Sequence, residues 1–323
     1  MKIFEIKKND AGQRLDKFLS KAVKAMPPSL MYKSIRTKKI KVNRKRAEIS
    51  QILNEGDTVQ LFLSPDLFED NSDNENVYSH ITPSFTVIYE DENILLVNKP
   101  SSLNVHSDDP SDTNDLITHI KAYLFNNGEY DPSQEQSFAP ALCNRIDRNT
   151  SGIVIAAKNA EALREMNDVI KNRYLTKKYL CAVHGIPREK EKTIKGFLIK
   201  NSKNNTVNVY DTFRKGSKEI ITKYKVLKST SDISLLEVTL ITGRTHQIRA
   251  HMASIGHPLV GDGKYGVNRN DKKIGYKYQA LSSYYLRFDC DGFFSYLKNK
   301  EFTVPKDSIY FIELFDKGSE KKL

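Results

Sequence analysis

From Ser64 to Ser84 the chain carries five acidic residues and no lysine or arginine, and this stretch divides the sequence into two parts of very different size. The 63 residues before it hold 15 Lys/Arg against 6 Asp/Glu, a net charge of +9. The 239 residues after it hold 36 against 29, a net charge of +7. The stretch itself, SPDLFEDNSDNENVYSHITPS, is polar, bracketed by Pro65 and Pro83, and has no apolar period, so it reads as a linker. The expected organisation is a basic head over 1–63, an acidic linker over 64–84 and a body over 85–323. With 39% hydrophobic residues in 323, packed cores are affordable and wholesale disorder is excluded. A formal charge of +11 points to a polyanionic partner.

No apolar run approaches the ~18 residues of a membrane span, and MKIFEIKKN lacks the apolar segment of a secretion signal. The three cysteines, Cys143, Cys181 and Cys290, are far apart and odd in number, which excludes a disulfide framework and a Cys-x-x-Cys zinc pair. A cytoplasmic protein without membrane association is expected.

In the head, Leu15, Phe18, Leu19, Ala22 and Val23 fall on one helical face. Pro27-Pro28 ends that helix, and Ser29 is read as the cap of a second one carrying Leu30, Met31 and Ile35. Ile40–Val42 and Val59–Leu63 read as strands. In the body, Phe85–Tyr89 and Ile94–Val97 read as a hairpin, and Leu116–Leu124 as a helix. Gly152–Ala157 reads as a buried strand, followed by an Asn159-capped helix with Leu163, Met166 and Ile170 inward. Four β-like runs follow, then a helix capped by Thr245 with Ile248, Met252 and Ile255 inward. Strands outnumber and do not alternate with helices, so an α+β body around a mixed, largely antiparallel sheet is expected, beside a small α/β head.

Three segments carry chemistry. In the head, Lys33, Arg36, Lys38, Lys39, Lys41, Arg44, Lys45 and Arg46 cluster where the second helix meets the first strand, a cradle for phosphates. In the body, NRIDRNTSG places Asp147 between Arg145 and Arg148 at the mouth of the buried strand, where a carboxylate is expected to be charged and rigidly held. GRTHQIRAH then puts Arg244, His246 and Arg249 at a helix N-terminus behind Gly243, an arrangement suited to anions. His246, His251 and His257 do not make a zinc site, because His246 and His251 stand about 140° apart on a helix and no carboxylate completes the set. GDGKYG (Gly261–Gly266) lacks the order of a phosphate loop and reads as a turn-rich connection. No dinucleotide fingerprint or serine elbow is present.

NRIDRNTSGIVIAAKN, KKYLCAVHG and GRTHQIRAHMASIGHPLVGDGKYG, in this order, closely resemble the RluA family of pseudouridine synthases, and YEDENILLVNKPSSLNVH is similar to that family's first hairpin. The likeness spans about Phe85 to Ile312. RLDKFL (Arg14–Leu19), KVN (Lys41–Asn43) and EGDTV (Glu55–Val59) resemble the small RNA-binding module named after ribosomal protein S-four, over roughly Gly12–Leu63.

The resemblance implies an RNA-modifying isomerase that needs no cofactor and no metal, with structured RNA, most of all large-subunit ribosomal RNA, as its partner, acting as a monomer. By the same likeness Asp147 is the catalytic aspartate, acting either as nucleophile or as base. Arg249 is its cationic partner, Tyr179 the active-site tyrosine, and Arg145 the side chain that takes the flipped base's place in the RNA. Arg148, Arg244 and His246 join the head cations Lys33, Arg36, Lys38, Lys39, Arg44, Lys45 and Arg46 as expected RNA contacts. Two positions depart from the family pattern: Asn144 stands where His is usual and Ile146 where Leu is usual. The chief alternative is a non-catalytic RNA-binding ribosome-assembly factor on a synthase fold; a metal-dependent hydrolase is a distant third.

Overall fold

The computed structural model describes residues 1–68, 78–107, 109 and 113–315. The head consists of strand β1 (Lys2–Glu5), helices α1 (Leu15–Ala22) and α2 (Pro28–Arg36), and strands β2 (Ile40–Val42), β3 (Lys45–Arg46) and β4 (Thr58–Leu61). Its antiparallel sheet runs β1-β4-β2-β3. Leu15, Phe18, Leu19 and Val23 are buried as the helical period predicts, and they share one core with Met31, Ile35, Ile40, Val42 and Val59. Two local expectations change. Pro27-Pro28 opens α2 rather than closing α1: Pro28 holds the first helical position, where its fixed φ is favourable and its missing N–H costs nothing, so Ser29 is not the cap. Strand β1 escapes the pattern because it is an edge strand, exposed along most of its length, and exists through pairing with β4. Asn43 and Arg44 both have positive φ, 51° and 64°, the backbone of a tight primed turn, and this turn presents the β2–β3 cations to solvent.

Of the acidic stretch, residues 69–77 lie outside the described residues. Its ends are more structured than a linker reading allows. Leu67 and Phe68 pack on the head core, and Tyr78 packs on Phe125 and Tyr130 of the body. These three apolar side chains are what the polar composition hides.

The body is built on a sheet of eleven strands among the described residues. In chain order they are β5 (Thr86–Glu90), β6 (Ile94–Lys99), β7 (Ala141–Leu142), β8 (Ser151–Ala157), β9 (Leu175–His184), β10 (Glu191–Asn201), β11 (Thr206–Tyr210), β12 (Lys218–Ser229), β13 (Ile233–Leu240), β14 (Leu281–Phe288) and β15 (Glu301–Thr303). Spatially they run β11-β10-β12-β13-β9-β14-β8-β6-β5, with β7 beside β8 and β15 beside β14. Every pairing is antiparallel except β8 with β14. The expected mixed, largely antiparallel α+β body is what the chain forms.

All seven residues of β8 are buried, because both faces of that strand are covered. Ile153, Ile155 and Ala157 pack with Ala162 and Met166 of helix α4 (Ala160–Lys171), which Asn159 caps through a 2.8 Å bond from the Ala162 N–H. Val154 and Ala156 pack with Leu116, Ile120 and Leu124 of helix α3 (Leu116–Asn126). On β9 the two-residue period sends Leu180 and Ala182 into the first of these cores, and Tyr179, Cys181 and Val183 to the opposite face. There Ile248 and Met252 of helix α5 (Gln247–Ser254) cover them. Ile255, expected inward, is 37% exposed, since the helix has already ended. The parallel junction needs Gly152: its φ is +111°, and a Cβ there would stand 2.3 Å from the Ser283 carbonyl oxygen. This close approach brings the mouth of β8 beside β9 and α5.

Candidate active site

Asp147 lies on the loop from β7 to β8, and that loop is fixed at several points. The Asn144 side-chain oxygen accepts the Ile155 N–H at 2.7 Å, and the Cys143 N–H donates to the Ile155 carbonyl at 2.8 Å. Asn144 thus replaces a ladder bond where β7 leaves β8. The buried Lys99 ammonium donates to the carbonyls of Pro100, Leu103 and Arg148, each at 2.8 Å. Burial pulls the Lys99 ammonium down to about 7, against an opposing pull from the charge of Asp147.

Arg249 is almost wholly covered and sits between two carboxylates. Its Nη1 donates to Asp147 Oδ2 at 3.0 Å. Its Nε and Nη2 donate to the two oxygens of Asp262 at 2.7 and 2.9 Å. Asp262 is 1% exposed and also accepts the N–H groups of Lys264 and Tyr265. Burial opposes the charge on Arg249, but the bonds and charge of Asp262, with those of Asp147, outweigh it and raise its pKa. The fork-to-fork pairing fixes the guanidinium plane, and the remaining nitrogen fixes Asp147.

His246, expected as an RNA contact, lies beside Asp147. It sits at the N-terminus of α5 with φ 53°, in the left-handed region, and is largely covered. Its Nε2 stands 3.8 Å from Asp147 Oδ2, and its Nδ1 is 2.8 Å from the Tyr265 hydroxyl, which accepts the Val207 N–H. Burial lowers its pKa, partly offset by Asp147. The helix is not capped by Thr245. Gln247 does that work from inside: its Oε1 accepts the Arg244 N–H and the Thr242 hydroxyl, and its Nε2 donates to Ile221 and Thr222. Gly243 has open space around it and no positive φ, so the turn does not require glycine. His251 bonds Thr222 in the core and His257 bonds the His184 carbonyl, so the three histidines do not converge. Among the described residues no group of three His, Cys, Asp or Glu is placed to hold a metal ion.

Asp147, Tyr179 and Arg249 line one cleft of about 1270 Å³, together with Arg145, Arg148, Arg244 and His246. Tyr179 is 7% exposed; burial pushes its hydroxyl up to about 12, against a bond to Ser283. Arg145, Arg148 and Arg244 are exposed at the rim, and Arg148 Nε donates to the Ser102 carbonyl at 3.2 Å. Among the described residues, eleven Lys and Arg line the cleft against the single carboxylate of Asp147. Such a surface takes a phosphate backbone and leaves one negative group to act on what it carries. The head cations Lys33, Arg36, Lys38, Lys39, Arg44, Lys45 and Arg46 are not part of the cleft. They are exposed on α2, the turn after it and the β2–β3 hairpin, with no ion pair among the described residues.

Sequence reasoning missed Lys99, Gln247, Asp262 and Tyr265. Two had a signal. Lys99 closes a strand that opens with the apolar run ILLV, just before Pro100, and Asp262 sits between two glycines opposite an arginine-bearing helix.

Lys99→Met tests the loop anchor. It should leave three carbonyls unpaired, at about 1–3 kcal/mol for each that water cannot reach. Because burial lowers the folded-state pKa to about 7 while the unfolded lysine keeps its ordinary value, wild-type stability should rise from this site between about pH 7 and 10. That rise should vanish in Lys99→Met, read as the difference between urea midpoints of the two proteins across this range.

A basic head on a largely antiparallel α+β body, with one carboxylate clamped by an arginine in a cationic cleft, defines an enzyme that modifies RNA. Residues 93–254 match the family model described as RNA pseudouridylate synthase, and residues 13–59 match the S4 domain. The chain is 32% identical over 310 residues to "Ribosomal large subunit pseudouridine synthase C" of Buchnera aphidicola subsp. Baizongia pistaciae (strain Bp), covering 94% of both. It is 31% identical over 278 residues to the protein of the same description from Escherichia coli (strain K12), covering 85% of this chain and 82% of that one. Its fold is shared with the solved structure of Human RNA Pseudouridylate Synthase Domain Containing 1, at TM-score 0.54 and 24% identity, over 69% of this chain and 84% of the other. The chain belongs to the RNA pseudouridylate synthase family. Its described residues contain no helix long and apolar enough to cross a membrane.

Proposed function

We propose that this protein converts uridine to pseudouridine in large-subunit ribosomal RNA, in the cytoplasm, with Asp147 as the catalytic carboxylate. The observation that carries the reading is the placement of Asp147, held by Arg249, as the one acid among the described residues of a cleft lined by eleven cations. The reaction breaks the bond between C1′ of the sugar and N1 of uracil, turns the base, joins C1′ to C5, and passes the C5 proton to solvent while N1 takes one up. No electrons are gained or lost. Asp147 serves this chemistry by attacking the sugar or base, or by taking the proton beside the anomeric carbon; both routes use a charged oxygen. Arg249 holds that oxygen in place, and His246 borders it. Tyr179 offers its ring to the uracil. Its hydroxyl, pushed up to about 12, is a neutral phenol at working pH, which favours stacking and hydrogen bonding over a resting base. Arg145, exposed at the rim, is suited to fill the gap left by the flipped base, with Arg148 and Arg244 on the backbone. The monomer is proposed as the active unit.

The test is release of tritium from large-subunit RNA transcribed with 5-tritiated uridine, with mapping of pseudouridines in RNA from cells with and without the gene. Absence of release, with tight RNA binding retained, would favour the binding-only alternative.

The head over 1–63 and the body over 85–323 are read as two folding units joined by 64–84. The head has its own core, and it meets the body through polar contacts. Asp10 accepts Ser137 Oγ at 2.6 Å and Gln136 Nε2 at 3.2 Å, and Arg164 donates to the Ala11 carbonyl at 3.1 Å. Water can replace such contacts, so a chain lacking 1–63 should fold. It should bind RNA more weakly with a shallower salt dependence, while its single-turnover rate at saturating RNA stays within about tenfold. An unfolded product, or one inactive at saturation, would place the boundary elsewhere.

A further inference from the structure

Beside the catalytic cleft lies a second pocket of about 550 Å³, and Lys277 and Tyr278 line both. Its walls are aromatic and held from behind. Phe85 packs edge-on against Tyr123 at 5.6 Å, and Tyr310 stacks on Tyr276 at 6.2 Å. The Tyr310 hydroxyl also donates to the carbonyls of Tyr278 and Gln279, at 3.1 and 2.8 Å, so the ring is fixed before anything binds. Several polar groups lining this space are uncommitted among the described residues, the Ser101 and Ser151 hydroxyls included. The Asn98 amide and the Lys277 ammonium form no side-chain hydrogen bond or ion pair among the described residues. The Lys99 ammonium, by contrast, is used up on three carbonyls.

We propose that this pocket captures the base of a nucleotide neighbouring the target uridine in the same RNA strand. The assignment rests on the RNA-modifying reading of the adjoining cleft. Extracting one uridine unstacks its neighbours, and an unstacked base is recognised by aromatic faces together with hydrogen bonds to its edge. Phe85 and Tyr310 supply faces, and the Asn98 amide supplies a donor and an acceptor. One free cation matches one bridging phosphodiester, placed where the two cavities meet. A free nucleotide with its additional phosphate charge would find no second cation in the pocket.

Thr86 is exposed at the pocket and pairs across the hairpin with Asn98, so Thr86→Trp should fill the space without entering the core. The segment of a large-subunit transcript that the wild-type protein protects from nuclease would first be mapped. Synthetic stem-loops around each uridine of that segment, each with one flanking nucleotide made abasic, would then be compared by filter binding. The wild type should lose about tenfold in affinity for one abasic position. Thr86→Trp should bind intact RNA about as weakly, with no further loss at that position, and Asn98→Ala should fall between them. Indifference to every flanking abasic site, or an unchanged loss in folded Thr86→Trp, would overturn the proposal. So would saturable binding of uridine or adenosine monophosphate abolished by Thr86→Trp without abasic sensitivity, which would assign the pocket to a free nucleotide. Tritium release is read separately: turnover without the coupling defeats this inference alone, and coupling without turnover defeats the catalytic reading alone.

Discussion

Asp147→Asn should abolish pseudouridine formation, a loss of at least roughly 10⁴-fold or about 5 kcal/mol of barrier, while RNA affinity changes by no more than about threefold. The amide keeps the shape of the carboxylate and can still accept from Arg249 Nη1 through its oxygen. What disappears is the negative charge that both routes require. Binding should persist, because affinity comes from many Lys and Arg contacts to phosphate and one lost carboxylate slightly favours a polyanion. Arg145→Ala should behave in the opposite way. An exposed rim arginine that stands in for the flipped base acts on the cost of unstacking, so its loss should slow paired targets more than unpaired ones. Tritium release and filter binding on the same RNA separate the two variants. Wild-type turnover by Asp147→Asn would remove the catalytic assignment, and equal slowing of paired and unpaired targets would remove the flipping role of Arg145.

The parts of the site that were legible in the sequence share a property: they sit on contiguous segments whose local pattern dictates their geometry. Ser151–Ala157 is an unbroken small and apolar run, and it is buried on both faces. Asn159 lies at the start of an amphipathic period and caps it. NRIDR and GRTHQIR announce a carboxylate and an arginine by themselves. The illegible parts are products of long-range approach. Strand β14 reads LSSYYLRF, with serines at positions 282 and 283 where an apolar residue would be expected. Ser282 lies between Ser151 and Leu180 and Ser283 between Gly152 and Tyr179, where the strands come too close for larger side chains. Periodicity carries no information on how closely two distant strands will pack.

The same reasoning explains Thr245 and His246. An N-cap preference points to threonine, but Gln247 satisfies the loop's donors and acceptors from within, which leaves the chain to enter the helix through a left-handed His246. The side chain consequently turns toward Asp147 instead of outward. A local propensity lost to a tertiary network, and it did so at the site, where strained backbone is most often found.

Asp262→Asn should cost about 3–5 kcal/mol of stability and slow turnover by roughly 10–100-fold, although residue 262 touches no substrate. Oδ1 of Asp262 takes three donors, from Arg249 Nη2, Lys264 and Tyr265, and Oδ2 takes Arg249 Nε. An asparagine can keep its oxygen toward the first three, but its NH₂ then faces the Nε–H, donor against donor. The buried guanidinium loses half of its fork and one of its two compensating charges, so its hold on Asp147 slackens. The pH dependence has a definite sign. Burial alone would raise the pKa of Asp262, but the bonds and charge of Arg249 and the two backbone N–H groups outweigh it and leave the carboxyl below its ordinary value. A depressed folded-state pKa contributes stability that is fully present above the unfolded value and lost as pH falls through the folded one. The stability difference between wild type and Asp262→Asn should therefore be constant near neutrality and shrink below about pH 4. Urea unfolding at pH 7, 5 and 3 measures it, and single-turnover rates at saturating RNA measure the catalytic part. Wild-type values of both would mean that Arg249 is held without Asp262, by its bond to Asp147 and its contact with the Tyr265 ring, 5.3 Å from the guanidinium.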